Sequence, residues 1–271
     1  MTSLQTLGQG DGARASQRWR PGFAKAEQHP CHNEIFASSQ EGAGAALALA
    51  LGRDALSVEA KDALRELDDQ RHILWVQTRD AIKRGGRPYI HGLPKELRRR
   101  VIHVEAKDAA DALFALEEGV RCCDLAFVIG EVLGNPKALD FTASRRLTLT
   151  AQRHGVRLYL VRIDAQRDLS SARMRWDVRS ATSPHPRWNH HAPGIAAWKA
   201  ELFRARAHPP GEWTLYDDEG TLSISRPSIR IPQPANTPTN APGIAPERTP
   251  KRAAHYGNLA RPTVGRSLAA L

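Results

Sequence analysis

From Glu34 to Val161 the hydrophobic residues fall into short unbroken runs, separated by stretches in which they recur every three or four positions. The runs predict strands and the spaced stretches predict helices. Glu34-Ile35-Phe36-Ala37 reads as a strand. A small polar loop, Ser38 to Gly44, follows it, then an Ala/Leu-rich helix over Ala45–Leu51. A second helical stretch is expected over Val58–Leu67, a strand over Ile73–Gln77, a Pro/Gly loop over Pro88–Leu93 and a third strand over Val101–Glu105. Asp108 has the chemistry of an N-cap, and Ala109, Leu113, Leu116 and Val120 then share one helical face, with Asp111 suitably placed in the first turn. Leu125–Gly130 is the most apolar run and lacks alternation, as befits a central parallel strand buried on both faces. A helix over Thr142–His154 stops at Gly155, and Val156–Val161 is the next strand. Strand–helix alternation with these connections implies right-handed crossovers and a layered α/β domain with a mostly parallel central sheet.

Beyond Asp164 the period changes. Met174, Trp176 and Val178 alternate with Arg173, Arg175, Asp177 and Arg179, the pattern of a half-buried strand. Trp198–Arg206 reads as a short helix. Trp213–Tyr216 and Leu222–Ile224 flank Asp217-Asp218-Glu219-Gly220, a hairpin signature, so C-terminal antiparallel strands are expected. Seven of the 24 residues from Pro227 to Pro250 are proline, which ends regular structure. The division expected is a flexible, disordered segment over 1–30, a core over 31–225 and a disordered Pro-rich basic tail over 226–271.

Composition narrows the class. Over 271 residues, 41% hydrophobic and 25% charged content is that of a soluble globular protein. No run approaches the roughly 20 apolar residues of a membrane span, and Met1–Asp11 lacks the layout of a secretory signal. The three cysteines, two of them adjacent, suit a reducing cytosol, and Cys122-Cys123 are expected to pack as small hydrophobes at a helix end. The formal charge is +10, and the tail accounts for six of it, with seven Lys/Arg against Glu247. Such a tail suits salt-sensitive contact with polyanions, or a solvated segment with no partner of its own.

The strand–loop–helix unit at Glu34–Leu51 has the outline of a phosphate-binding fold without its grip. In a P-loop enzyme the loop carries G-x-x-x-x-G-K-[ST], whose lysine neutralises the phosphates and whose hydroxyl holds magnesium. No lysine occurs from Ala26 to Ala60, and Glu41 would repel a triphosphate. The G-x-S-x-G nucleophile turn is also absent. His29-x-Cys31-His32 offers metal-ligand types without a second cluster to complete a tetrahedral site, so neither a metal nor a cofactor is expected.

An ordered set of short pieces resembles the bacterial SOS mutagenesis family ImuA, which is RecA-like. They are His32-x-Glu34-Ile35-Phe36-Ala37, Ile73-Leu74-Trp75-Val76, Gly86-x-Pro88-Tyr89-x-x-Gly92-Leu93, Ala115-Leu116-Glu117-Glu118-x-x-Arg121-Cys122, Val128-Ile129-Gly130-Glu131, Ser144-Arg145-Arg146-Leu147, Arg175-Trp176-x-Val178 and Trp198-x-x-Glu201-Leu202. They span Cys31 to Ile224; both tails lie outside. The resemblance implies a RecA-like core without its ATP-binding motif and a non-catalytic accessory role in error-prone translesion synthesis in the bacterial cytoplasm, nucleoid-associated when engaged. The partners it implies are an ImuB-like inactive relative of Y-family polymerases and an error-prone replicative-type polymerase, with RecA a further candidate. By the same resemblance, the magnesium-side acidic position falls at Gly130-Glu131, where a carboxylate remains. The catalytic glutamate of RecA-like ATPases falls at Gln77-Thr78-Arg79, where no general base stands.

In RecA-like folds the loops after the fourth and fifth core strands face DNA. Here these are Val132–Phe141 and Arg162–Ala172, and they nominate Lys137, Arg145, Arg146, Arg162, Arg167 and Arg173 as backbone-tracking cations. The competing reading is solvated surface arginines, interleaved as they are with Asp140, Asp164 and Asp168. Trp19, Trp188 and Trp213 are the candidate anchors for a protein partner, on an N-terminal segment and a C-terminal hairpin that flank the sheet. Two alternatives stay open. One is a SulA-like cell-division inhibitor that binds FtsZ, also RecA-like without a phosphate loop but shorter. The other is a degenerate DNA-dependent RecA-like ATPase.

Overall fold

The parallel strands expected from the apolar runs sit side by side at the centre of one mixed sheet in a computed structural model of the chain. The structure describes residues 17–18, 31–62, 69–184, 186, 189, 191–206 and 209–225. Its strands are β1 (Gln17–Arg18), β2 (His32–Ala37), β3 (His72–Thr78), β4 (Val101–Ala106), β5 (Leu125–Leu133), β6 (Arg157–Ile163), β7 (Met174–Ser180), β8 (Ala197–Ala205), β9 (Gly211–Asp218) and β10 (Thr221–Ser225). Its helices are α1 (Ala43–Asp62), α2 (Arg79–Gly85), α3 (Ala109–Arg121) and α4 (Phe141–His154). The sheet order is β1-β10-β9-β8-β7-β2-β6-β5-β3-β4. Strands β4 through β7 pair in parallel through β3, β5, β6 and β2, and β8, β9, β10 and β1 extend the sheet antiparallel. The layered α/β class with C-terminal antiparallel strands is therefore as expected. The described residues lie in one unit, Met1–Ile229; the second unit, Arg230–Leu271, lies outside them.

Each face of the sheet has its own core. On one face, Ile35, Ile73, Trp75, Ile129, Val161 and Trp176 pack under α1 with Leu47 and Ala48. On the other, Leu74, Val76, Val128, Leu158 and Leu160 pack under α3 and α4 with Leu116 and Leu147. Successive positions along each parallel strand thus go to opposite layers, as the two-residue period of a strand requires. α1 lies close to the sheet because Gly52 meets Phe127: a Cβ there would stand 2.6 Å from the ring. Capping follows the local sequence. Asp108 accepts from the amides of Ala110 and Asp111, Asp140 accepts from Ala143, and Gly155 ends α4 at φ 71°.

Two expectations are corrected. The two helical stretches at Ala45–Leu51 and Val58–Leu67 are one helix as far as Asp62, since nothing between them breaks the period. The second concerns Trp198–Arg206, which as far as Ala205 lies in strand β8 rather than a helix. Its Ala, Glu and Leu content favours a helix locally, but Trp198, Ala200 and Leu202 alternate into the α1-side core between β7 and β9. Tertiary pairing on both edges overrides the weak propensity. The hairpin is as expected: Glu219 and Gly220 at φ 50° and 87° form the two-residue turn between β9 and β10. The tail after Arg226, Trp19, Trp188 and nearly all of the 1–30 segment lie outside the described residues; within that segment Gln17 and Arg18 pair with Ile224 and Ser223 of β10.

Candidate functional site

At the C-terminal ends of β2, β3, β5 and β6 a cleft of about 320 Å³ opens against the start of α1, where open α/β sheets bind ligands. Its walls include Ser38, Gly42, Leu49, Trp75, Tyr89 and Leu93. The loop that would hold phosphates is committed to the protein itself. The Ser39 amide donates to Asp164 Oδ1 at 2.8 Å, and the Glu41 carboxylate accepts the Ser180 amide at 2.9 Å. The Ser39 hydrogen bonds hold the Asp164 carboxyl below the usual carboxylate range. Arg87, at the cleft's rim, pairs with Glu105.

The two positions that the RecA resemblance assigns to ATP chemistry have other duties. Glu131 is buried, and its Oε1 accepts the Trp75 indole N–H at 2.6 Å. Burial pushes its carboxyl up, against the hydrogen bonds from Trp75 and Gln77, and its Oε1 is already taken by the Trp75 indole. Gln77 is also buried; its amide N donates to the Gly86 carbonyl at 3.0 Å and its Oε1 lies 2.8 Å from His103 Nε2. Arg79 pairs with Glu105 at 3.1 Å.

On the opposite face lies a buried ionic cluster. Glu34 Oε2 accepts from Arg175 Nε at 2.8 Å, and its Oε1 accepts the Ser170 hydroxyl at 2.6 Å and lies 3.8 Å from Arg162 Nη1. Arg162 and Arg175 are 1% and 3% exposed, and both stack over the Phe36 ring. Asp168 joins from the loop, 3.3 Å from Arg162 and 3.6 Å from Arg175. Burial raises its pKa, but the hydrogen bonds from Arg162 and Asn135 win and hold it low. The cluster continues through Ser144 and Thr148 of α4 to His32 Nδ1, which lies 2.8 Å from the Thr148 hydroxyl. Burial lowers the His32 pKa to about 4, opposed by Glu34 and assisted by Arg175 and Arg162.

The two loops nominated to face DNA are clasped to each other. Asn135 donates to the Gln166 carbonyl at 3.0 Å and to Asp168 at 2.8 Å, and accepts the Gln166 amide at 2.7 Å. The six candidate cations therefore separate. Lys137 and Arg145 are exposed. Arg146 is paired with Glu117 at 2.6 Å. Arg162 is the clear correction: it is buried in the ionic cluster and has no access to a phosphate backbone. Arg167 stacks 4.0 Å from the Phe203 centroid and pairs with Asp177 and Glu201, at 3.0 and 2.7 Å. Arg173 is half-buried and donates to Gln152 at 3.1 Å.

Trp213 is likewise corrected as an exposed anchor, since it is half-buried against the α1-side core, edge-on to the buried Trp176 at 6.3 Å. Cys122 and Cys123, expected to pack as small hydrophobes, are exposed. Cys31 is half-buried, and burial raises its thiol pKa against the pull of Arg157. Among the described residues no three His, Cys, Asp or Glu side chains gather as a metal ion would need, and no helix is long and apolar enough to cross a membrane. The buried Glu34–Arg175–Arg162 cluster was the feature the sequence reading missed. Its local signal is a charged residue inside an otherwise apolar strand, at Glu34 and again at Arg162. No protein-family model matches the chain, and no curated protein matches it.

Proposed function

We propose that the protein is a non-catalytic docking adaptor in SOS-induced, error-prone translesion DNA synthesis, of the ImuA type. Its proposed partners are an ImuB-like relative of Y-family polymerases and an error-prone replicative-type polymerase, with RecA as a further candidate, and its place of work is the bacterial cytoplasm at damaged DNA. The observation that carries this reading is the phosphate loop bonded to its neighbouring segments. The sheet keeps the cleft at the ends of β2 and β5, but the Ser39 amide is given to Asp164, the Glu41 carboxylate stands at the loop, and Glu131 is capped by Trp75. An α/β sheet relieved of nucleotide chemistry retains surfaces for other proteins. The ordered set of motifs from His32 to Leu202 supports the family assignment. Direct DNA contact is a minor element of the proposal, since four of the six nominated cations are engaged within the protein.

The test is damage-induced mutation frequency in a strain deleted for the gene, together with pull-down of an ImuB-like protein by the full chain. Reduced induced mutagenesis and recovery of the ImuB-like protein are the expected results. Unchanged mutagenesis with binding of FtsZ instead would replace this reading with that of a division inhibitor.

A further inference from the structure

α4 packs one side into the core and leaves the other uncovered among the described residues. Ala143, Leu147 and Ala151 go inward, and Ser144 and Thr148 bond to the loop at Ser170 and Ser171. Phe141, Arg145 and Leu149 follow one another at four-residue spacing on the outer side, so they form a single stripe. Phe141 is 47% and Leu149 53% exposed. Leu169, 77% exposed, precedes Ser170, whose hydroxyl is 2.7 Å from that of Ser144. On the other flank Arg146 bridges to Glu117 of α3. Three of the eight large hydrophobic side chains exposed among the described residues, Phe141, Leu149 and Leu169, therefore lie on the outer side of α4 or in the loop bonded to it. Single exposed apolar residues are ordinary; a gathered patch marks an interaction site.

The charge of the surface is equally one-sided. α4 contains no acidic residue. The acids nearest to it are engaged: Asp140 caps the helix, Glu117 lies between Arg146 and Arg121, and Asp168 belongs to the buried cluster. Arg145, Arg153 and Lys137 are exposed and have no ion pair among the described residues. We propose that the outer face of α4 docks an acidic amphipathic segment of another protein, which seats leucine or phenylalanine side chains on Phe141, Leu149 and Leu169 and carboxylates on Arg145 and Arg153. The proposal deepens the adaptor reading by naming one of its contact surfaces.

Charge decides between occupants. The chain's own candidates are basic: residues 226–271 hold seven Lys/Arg against one acid, and residues 1–30 hold four against two. A second copy brings a formal charge of +10 of its own. Nucleic acid would satisfy the arginines, but Leu149 and Leu169 supply neither a stacking plane nor a hydrogen bond to a base. An amphipathic helix with an acidic border satisfies both the apolar and the cationic parts.

The probe is a fluorescent designed peptide of about 20 residues, with Leu at i, i+4 and i+7 and Glu on the flanking positions. It is titrated into the full chain and followed by anisotropy, beside a version with Lys for Glu and a thymidine oligomer. The acidic peptide is expected to bind and the basic one not. R145E/R153E should weaken the acidic peptide about tenfold or more and admit the basic one, and F141S/L149S should weaken the acidic peptide without admitting the basic one. Circular dichroism and melting identify any variant that fails to fold, and the reciprocal charge swap reads the face independently of stability. Equal binding by wild type and R145E/R153E, no binding by wild type, tighter Arg145-dependent binding of the oligomer, or self-association abolished by R145E/R153E would each overturn the proposal. If it fails while gene deletion still lowers induced mutagenesis, the adaptor reading survives with its contact surface elsewhere.

Discussion

Glu34 of β2 and Arg175 of β7 stand opposite each other in register on adjacent parallel strands, with Oε2 2.8 Å from Nε and both side chains out of contact with solvent. Removing one member of a buried pair leaves the other charge uncompensated, which is far costlier than never having built the pair. E34A leaves Arg162 and Arg175 with only the half-exposed Asp168 between them and is expected to cost about 3–5 kcal/mol in urea unfolding. The double variant E34L/R175M should recover most of that loss. An E34A protein as stable as wild type would show that the cluster does not hold the strands together.

His32 and Glu131 give stability opposite dependences on pH. Because the folded-state pKa of His32 is lowered to about 4, its contribution is complete above the ordinary histidine value of 6.5 and is lost as pH falls towards about 4. The shift corresponds to about 3 kcal/mol. The stability advantage of wild type over H32N should therefore shrink by about that amount between pH 7 and pH 4. An advantage that stays constant over this range would show that the buried imidazole does not titrate as described.

For Glu131 the folded-state pKa is raised above 4.5, so its contribution is present below that value and declines as pH rises through the folded pKa. E131Q keeps an acceptor for the Trp75 indole and cannot ionise. Its stability relative to wild type should therefore improve as pH increases above about 4.5. Thermal melts of the two proteins in parallel from acid to neutral pH measure this directly, and parallel curves would argue for an ionised carboxylate at the cleft.

ATP with magnesium should bind no tighter than about 1 mM, roughly −4 kcal/mol. The Ser39 amide and the Glu131 carboxyl, two groups that could meet the nucleotide, are already bonded within the protein. Calorimetric titration of the full chain tests this, and micromolar binding lost on substitution in Ser38–Gly44 would refute it.

Asn135 fastens the loop after β5 to the loop after β6 through three hydrogen bonds. At roughly 0.5–1 kcal/mol net for each bond this exposed, N135A should lower stability by about 1.5–3 kcal/mol. The sharper readout is local: amide exchange at Gln166–Leu169 should accelerate while that of β5 and β6 is unchanged.

Much of the architecture was legible because it is encoded locally. The two-residue period from Met174 to Val178 assigned Met174, Trp176 and Val178 to the core, where they lie. The same pattern placed Arg175 on the half-solvated side, yet it is buried, because the 164–173 loop folds back over that face and supplies Asp168 and Ser170. Its partner Glu34 is 141 residues away in sequence, and no local window contains both. Arg162 follows the same rule, and Trp198–Arg206 was misread because two neighbouring strands, not its own propensity, decide its conformation. In the candidate site the missing lysine could be read directly, whereas the diversion of Ser39, Glu41 and Glu131 to other partners could only be seen once the sheet was assembled.

The clasp at Asn135 also bears on time and heat. Loops that close only on contact slow association and leave a large heat-capacity change and an entropic loss in the binding reaction. Here the turn between β5 and α4 and the segment between β6 and β7 are set before any encounter. Whatever meets these two loops meets them already joined, so ordering them adds little to the entropic cost of binding.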